Sequence, residues 1–199
     1  LANNNITGNS GIVLYFGAAQ IDGFTATSNT FSDGGILVGQ PSSTTTGYLA
    51  DFQIQNNWFM DGSNDESALY IEKNIQASAD LDDNDWSTDL VFWNNQVLDT
   101  DSDPAVGFES ASYSVDVGDN LDARSNWWTS ANGPRVKNDA PEYEYADLEN
   151  NQFNYPNQGS MVTPGVDFVR WYTDASMTDL YGPIWNNDSP VEYYAKLQT

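Results

Sequence analysis

Apolar residues along the chain fall into short alternating runs that recur around an asparagine. The recurring motif is an Asn followed two positions later by an apolar side chain. It occurs at Asn4 and Ile6, Asn29 and Phe31, Asn57 and Phe59, Asn95 and Val97, Asn126 and Trp128, and Asn151 and Phe153. Successive Asn residues are 25, 28, 38, 31 and 25 positions apart, which indicates an internal repeat with loops of variable length.

From the second repeat onwards, the residues five and three positions before the Asn are also apolar. They are Phe24 and Ala26, Phe52 and Ile54, Leu90 and Phe92, Leu121 and Ala123, and Ala146 and Leu148. This period of two predicts a strand with odd positions facing a core and even positions facing outwards. A second alternating run follows the Asn in four repeats, at Ile12 to Phe16, Ile36 to Val38, Leu69 to Ile71 and Val106 to Phe108.

A repeat of this size cannot bury its own apolar face. Stacked repeats bury a continuous core and pair each strand with its counterparts above and below. The pattern therefore predicts an all-β fold, a parallel β-helix of short strands and turns. We expect the repeated Asn to mark a bend, because Asn tolerates left-handed backbone angles and its amide bonds to the same amide one coil away. The alternative is a β-sandwich, which also has short alternating strands.

Composition narrows the range of functions. Lys and Arg number 6 and Asp and Glu 29, so 6 minus 29 gives a formal net charge of −23, which argues against a nucleic-acid partner. The chain has no Cys and no His, which excludes thiolate and imidazole catalysis and metal sites that need those ligands. No apolar run is long enough for a membrane-spanning helix. The acidic excess is typical of a halophilic or a calcium-bathed extracellular protein.

Two segments resemble a known family. Asn126 to Pro134, with its Trp-Trp pair and final Gly-Pro, and Val166 to Trp171 are similar to segments of right-handed parallel β-helix repeat proteins, the NosD-like and carbohydrate-binding β-helix group. The second resembles the element that closes the solenoid in that family. Thr129 and Arg170 depart from the family pattern, in which Gly and Pro stand there. The resemblance implies a right-handed solenoid and an extracellular or cell-surface location, and it leaves the activity open.

The repeats divide the chain into two parts. Residues 1–171 are predicted to form the coils, and residues 172–199, which leave the repeat pattern, to form a C-terminal cap or tail that covers the last coil. The chain enters a coil at its first residues, so we expect upstream coils or a docked subunit at that end.

One acidic turn is a candidate cation site. Asp99, Asp101 and Asp103 place three carboxylates at alternate positions, a spacing that suits Ca²⁺. The EF-hand pattern is not met, because Pro104 stands where Gly is needed and Ser110 where Glu is needed. A solvated acidic turn is the alternative interpretation.

The alternation also predicts which aromatic side chains face outwards. Trp58 and Trp127 directly follow the repeated Asn, while Trp93 and Arg124 lie two positions before it. Trp93, Arg124 and Glu149 are predicted to stack on consecutive coils about 4.8 Å apart, with a cation–π contact between the first two. Exposed Trp on a flat β face suits stacking against sugar rings, so Trp58, Trp93, Trp127 and Arg124 are the candidate ligand-binding residues. Coverage of these rings by loops is the alternative.

These features favour a non-catalytic extracellular β-solenoid, a structural, adhesion or fibre segment of a cell-surface or virion appendage protein. No catalytic residue is assigned. The predicted partners are glycans or neighbouring copies that meet through the solenoid ends, and Ca²⁺ is the one candidate cofactor. Two alternatives stay open: the C-terminal part of a carbohydrate-active lyase or hydrolase, and a glycan-binding module.

Overall fold

The fold is described from a computed structural model. It describes residues 1–7, 11–15, 20–39, 47–60, 67–72, 75–77, 90–98, 104–108, 121–131, 133–136, 159–163, 166–168 and 171–181. Within these ranges the chain is all strand and turn, without a helix. Accordingly, no helix in this part of the chain could cross a membrane.

Twenty short strands make up the described structure. The first ten are β1 (Asn5–Thr7), β2 (Ile12–Tyr15), β3 (Gln20–Asp22), β4 (Thr25–Thr27), β5 (Thr30–Ser32), β6 (Ile36–Gly39), β7 (Gly47–Ala50), β8 (Phe52–Gln55), β9 (Trp58–Met60) and β10 (Leu69–Ile71). The others are β11 (Ile75–Ala77), β12 (Leu90–Trp93), β13 (Gln96–Leu98), β14 (Val106–Phe108), β15 (Leu121–Asp122), β16 (Arg135–Val136), β17 (Met161–Val162), β18 (Val166–Asp167), β19 (Trp171–Tyr172) and β20 (Leu180–Tyr181). The predicted runs as far as Ala123 coincide with these strands to within one residue, whereas the run with Ala146, Leu148 and Phe153 lies outside the described residues.

The strands form four parallel sheets, and as far as β15 each sheet takes no more than one strand from each successive repeat. The orders are β1-β5-β9-β13, β16-β17-β14-β10-β6-β2, β11-β7-β3 and β18-β15-β12-β8-β4. We call the first of these the ladder sheet, because it directly follows the repeated Asn. Since a β-sandwich is built from antiparallel sheets, this pairing does not fit the sandwich alternative. In the described part of the chain only β19 and β20 pair antiparallel.

The core contains the apolar positions that the alternation predicted, together with residues outside those runs such as Leu49, Ile75 and Val162. Eleven of the side chains at these predicted positions in the repeats from Asn29 to Asn126 are 0–3% exposed, whereas Phe24 is half-buried and packs against the core. The eleven are Ala26, Phe31, Phe52, Ile54, Phe59, Leu90, Phe92, Val97, Leu121, Ala123 and Trp128. Phe31 and Phe59 stack with ring centroids 4.7 Å apart, and Phe59 and Phe92 follow at 5.5 Å. The predicted core is confirmed for every one of these residues.

A buried ladder of asparagine side chains runs through the sheets. The Oδ1 atom of Asn29 accepts bonds from the backbone N–H and the Nδ2 of Asn4, both at 3.0 Å. Asn57 does the same for Asn29 at 3.0 Å, and Asn95 for Asn57 at 2.9 and 3.1 Å. Asn126 continues the ladder with a 2.7 Å bond from the backbone of Asn95. The predicted amide-to-amide bonding is confirmed from Asn4 to Asn95, while Asn126 bonds to the Asn95 backbone N–H.

The ladder Asn itself was predicted to take the left-handed backbone conformation at each bend. Instead, the residue before it does so. Positive φ angles of 53° to 57° occur at five such positions, Asn3, Ser28, Asn56, Asn94 and Ser125. The ladder Asn itself has a negative φ, and its backbone N–H and side chain both reach the next repeat. Asn tolerates the left-handed region better than branched residues do, which explains its use at three of these five bends.

The last repeat differs from the prediction that Asn151 continues the ladder. β18 pairs with β15 in the register Val166 with Leu121, a step of 45 residues. The backbone N–H of Tyr172 donates to the carbonyl of Asn126, a bond that Thr30, Trp58, Gln96 and Trp127 make to the preceding ladder Asn. Trp171 therefore occupies the next ladder position. The step along the chain is thus 45 residues instead of the 25 that the spacing of Asn151 predicted; Asn151 itself lies outside the described residues.

The chain crosses over at this end of the stack. β17 lies between β14 and β16, although it follows both in the sequence. The two segments that carried the family resemblance meet here: the Trp171 ring lies against Gly133, and its Nε1 donates to the carbonyl of Ala131 at 3.0 Å. The predicted boundary between residues 171 and 172 stays a prediction, since residues 182–199 lie outside the described part.

Candidate functional site

The outer face of the ladder sheet carries two of the predicted ligand-binding residues in one column. Strand register places Thr30 beside Trp58, Trp58 beside Gln96, and Gln96 beside Trp127. Trp58 is 43% exposed, and Gln96 and Trp127 are half-buried. Since neighbouring strands are about 4.8 Å apart, the two Trp positions are separated by about 9.6 Å.

A second column runs beside the first on the same face. It places Ser32, Met60 and Leu98 in register, and Met60 is 38% exposed. We call Trp58, Met60, Gln96, Leu98 and Trp127 together the aromatic strip. Asn5, Thr7, Thr30 and Ser32 extend its face towards β1, so none of these nine outward positions has an ionisable side chain.

Trp93 lies on a different sheet and in a different environment. It belongs to β12, and the Arg124 guanidinium lies 5.9 Å from its ring centroid, which is the contact that the alignment predicted. Its indole Nε1 is buried and has no hydrogen-bond partner. The structure therefore divides the predicted set in two: Trp58 and Trp127 share a face, whereas Trp93 is covered by Arg124.

The carboxylate that holds Arg124 is Asp122. The Arg124 Nε donates to Asp122 Oδ1 at 2.8 Å, and Nη2 to Oδ2 at 2.5 Å. The Asp122 side chain is 5% exposed and that of Arg124 36%. Sequence reasoning named Glu149 for this role, which lies outside the described residues, and overlooked Asp122. The spacing of Asp122 and Arg124 could have revealed this pair, because residues two positions apart on a strand point to the same face.

The predicted cation site lies outside the described residues, as Asp99, Asp101 and Asp103 all fall between the ranges given above. In the part of the chain that the structure describes, no group of three or more Asp or Glu side chains is arranged to hold a metal ion. The Ca²⁺ site stays a prediction.

An acidic turn joins β19 and β20. The Asp174 carboxylate accepts bonds from the Ser176 hydroxyl and backbone N–H, and from the Thr178 hydroxyl and Asp179 N–H at 3.2 Å each. These bonds, that of the Ser176 hydroxyl foremost, lower the pKa of Asp174 below its usual 3.8. The carboxylate thus organises the turn, and its donors all lie within the same turn.

Comparison with models of known protein families, with curated proteins and with solved structures gives no match. The similarity to NosD-like proteins therefore stays a resemblance of two segments. Those segments pack together through Trp171 and Gly133, which accounts for their joint presence in structural terms. Function has to be argued from the surface and the stack alone.

Proposed function

We propose that the repeats form the coils of a right-handed parallel β-helix. The parallel sheets, which pair strands from successive repeats, support this proposal, as do the closely similar hydrogen bonds that join each ladder Asn to the next. A stack of this kind is stabilised by contacts between neighbouring coils, which makes it stiff along its axis.

The proposed function is that of a non-catalytic, extracellular structural segment, a fibre or adhesion part of a cell-surface or virion appendage protein. The observation that carries it is the continuity of the stack: the Asn ladder passes through five successive repeats from Asn4 to Asn126, and its bonds are buried from Asn29 onwards. The buried Asn57, Asn95 and Asn126 also donate through Nδ2 to backbone carbonyls of the preceding repeat, and a fully bonded buried network of this kind serves rigidity and register. The partners proposed with this function are neighbouring copies at the solenoid ends, or glycans.

The net charge of −23 supports an extracellular or saline environment. Like charges on so small a chain repel, and salt screens this repulsion as the Debye length falls from about 8 Å at physiological salt to about 3 Å at 1 M. A structural segment exposed to salt gains solubility from such a surface without losing its compact state.

Two measurements test this function. Immunogold electron microscopy of the source cells or particles, with an antibody against this chain, should label external appendages; label confined to the cytoplasm would contradict the proposal. The purified chain should release neither reducing ends nor unsaturated sugars from a panel of polysaccharides. Turnover above that of a heat-denatured control would favour the carbohydrate-active enzyme instead.

A further inference from the structure

The aromatic strip is an exposed apolar surface on a chain that is otherwise strongly acidic. Trp58 and Met60 expose 43% and 38% of their surface, on strands whose inward residue, Phe59, is 3% exposed and fills the core. The core therefore does not need these two side chains. A cluster of exposed large apolar side chains on a soluble domain marks an interaction site.

The charge of the strip indicates the chemistry of its partner. All nine outward positions of the ladder sheet are uncharged, so none of these nine side chains forms an ion pair with a ligand. The −23 charge of the chain repels polyanions. It also opposes face-to-face docking of a second copy, since each would bring the same charge. An uncharged partner is complementary to this face and pays no electrostatic cost.

The spacing of the strip indicates the shape of that partner. The column Trp58, Gln96, Trp127 alternates an indole, an amide and an indole at steps of about 4.8 Å. A sugar unit in an extended glycan advances by a distance close to one such step. Its flat C–H face suits an indole, and its hydroxyl groups suit an amide that both donates and accepts.

We propose that the aromatic strip binds a neutral, extended pyranose polymer that runs along the stacking axis, with one sugar on Trp58, the next over Gln96 and the third on Trp127. Arg124 and Trp93 do not take part, because Trp93 belongs to another sheet and the Arg124 guanidinium lies over its ring. This inference deepens the adhesive role proposed above and rests on it.

Calorimetric titration with cello-oligosaccharides and manno-oligosaccharides of two to six units tests the site. The contact of a sugar with one indole covers roughly 50 Å², which corresponds to about a tenfold change in affinity. Affinity should therefore rise about tenfold between the disaccharide and the trisaccharide, when a third sugar reaches the second indole. Hexagalacturonate, which is of similar length and anionic, should not bind.

The variants separate the strip from the rest of the surface. Trp58→Ala should weaken hexasaccharide binding about tenfold and abolish the gain from the third sugar, and Trp58→Tyr should restore most of it. Tyr15→Ala is the matched control, because Tyr15 is 58% exposed and lies on another sheet; binding should not change. Unchanged unfolding midpoints show that the variants are folded.

Four outcomes would overturn the proposal: no binding of either hexasaccharide by the folded chain, unchanged binding in Trp58→Ala, equal binding of hexagalacturonate, or a Trp58-dependent self-association in sedimentation, which would make the partner a second copy. Failure of the structural function is distinct, since it appears as turnover of the bound glycan or as cytoplasmic labelling. Absence of binding by a folded, surface-labelled chain would remove the glycan site alone.

Discussion

Truncation of Asn57 should strongly destabilise the stack. Its Oδ1 accepts from the backbone N–H and Nδ2 of Asn29, and its Nδ2 donates to the carbonyl of Ala26 at 3.0 Å and to Asn95 Oδ1 at 3.1 Å. Asn57→Ala removes all four bonds at a site that is 2% exposed. At about 1 kcal/mol per bond, with more for the Asn29 N–H left buried without its acceptor, the free energy of unfolding should fall by about 4 kcal/mol.

Urea unfolding followed by tryptophan fluorescence at constant high salt measures this loss. Gln53→Ala is the matched control, because Gln53 is exposed on β8 of the same repeat, and its replacement should cost less than about 0.5 kcal/mol. If Asn57→Ala shifts the free energy of unfolding by no more than the control does, with the same m-value, the ladder is not a source of stability and the reasoning fails.

Four further perturbations follow from the same structure. Asn56→Val places a branched residue at φ 57° and should cost about 1–2 kcal/mol, whereas Asn56→Gly should be near neutral in the same urea assay. Gly159→Ala should lower the melting temperature, because the added Cβ would lie 1.5 Å from the carbonyl oxygen of Trp128; a wild-type melting temperature would contradict this. Arg124→Ala leaves the buried Asp122 carboxylate without this guanidinium and should cost about 1–3 kcal/mol, less in Arg124→Lys. Since the pKa of Asp174 is lowered below 3.8 in the folded chain, its contribution is present above pH 3.8 and is lost as pH falls through the lowered pKa; carboxyl NMR titration should show this, and a pKa at or above 3.8 would refute it.

Alternation in the sequence predicted most of the strands because every repeat has to bury one face of each strand and leave the other face in water. Phe52, Leu90 and Leu121 stand in equivalent places, and all are fully buried, since a strand with one wet face exposes every second residue. The ladder was equally predictable. An Asn at a fixed place in every repeat is costly to bury unless its amide meets another amide, and stacking provides that partner.

The end of the stack was not predictable in the same way. The 25-residue step to Asn151 resembles an ordinary repeat, whereas the strand that pairs with β15 is β18, which begins at Val166, and Trp171 takes the ladder position. Spacing alone does not reveal this, because the 25-residue step to Asn151 equals the first step of the repeat, from Asn4 to Asn29. The crossover of β17 between β14 and β16 is also a tertiary choice, since strand order is not encoded by the alternation of either strand.

Accessibility of the outward tryptophans depends on their neighbours rather than on their own strands. Trp58 and Trp93 both occupy outward positions. Trp58 has Thr30 and Gln96 beside it in register and stays 43% exposed. Trp93 has Arg124 on the next coil, aimed over its ring by the bonds from Asp122. The alternation therefore predicts which face a side chain is on, while the residue one coil away decides whether that face is open to a ligand. By that rule, the ladder sheet presents the exposed Trp58 and the half-buried Trp127 in one column of the described structure.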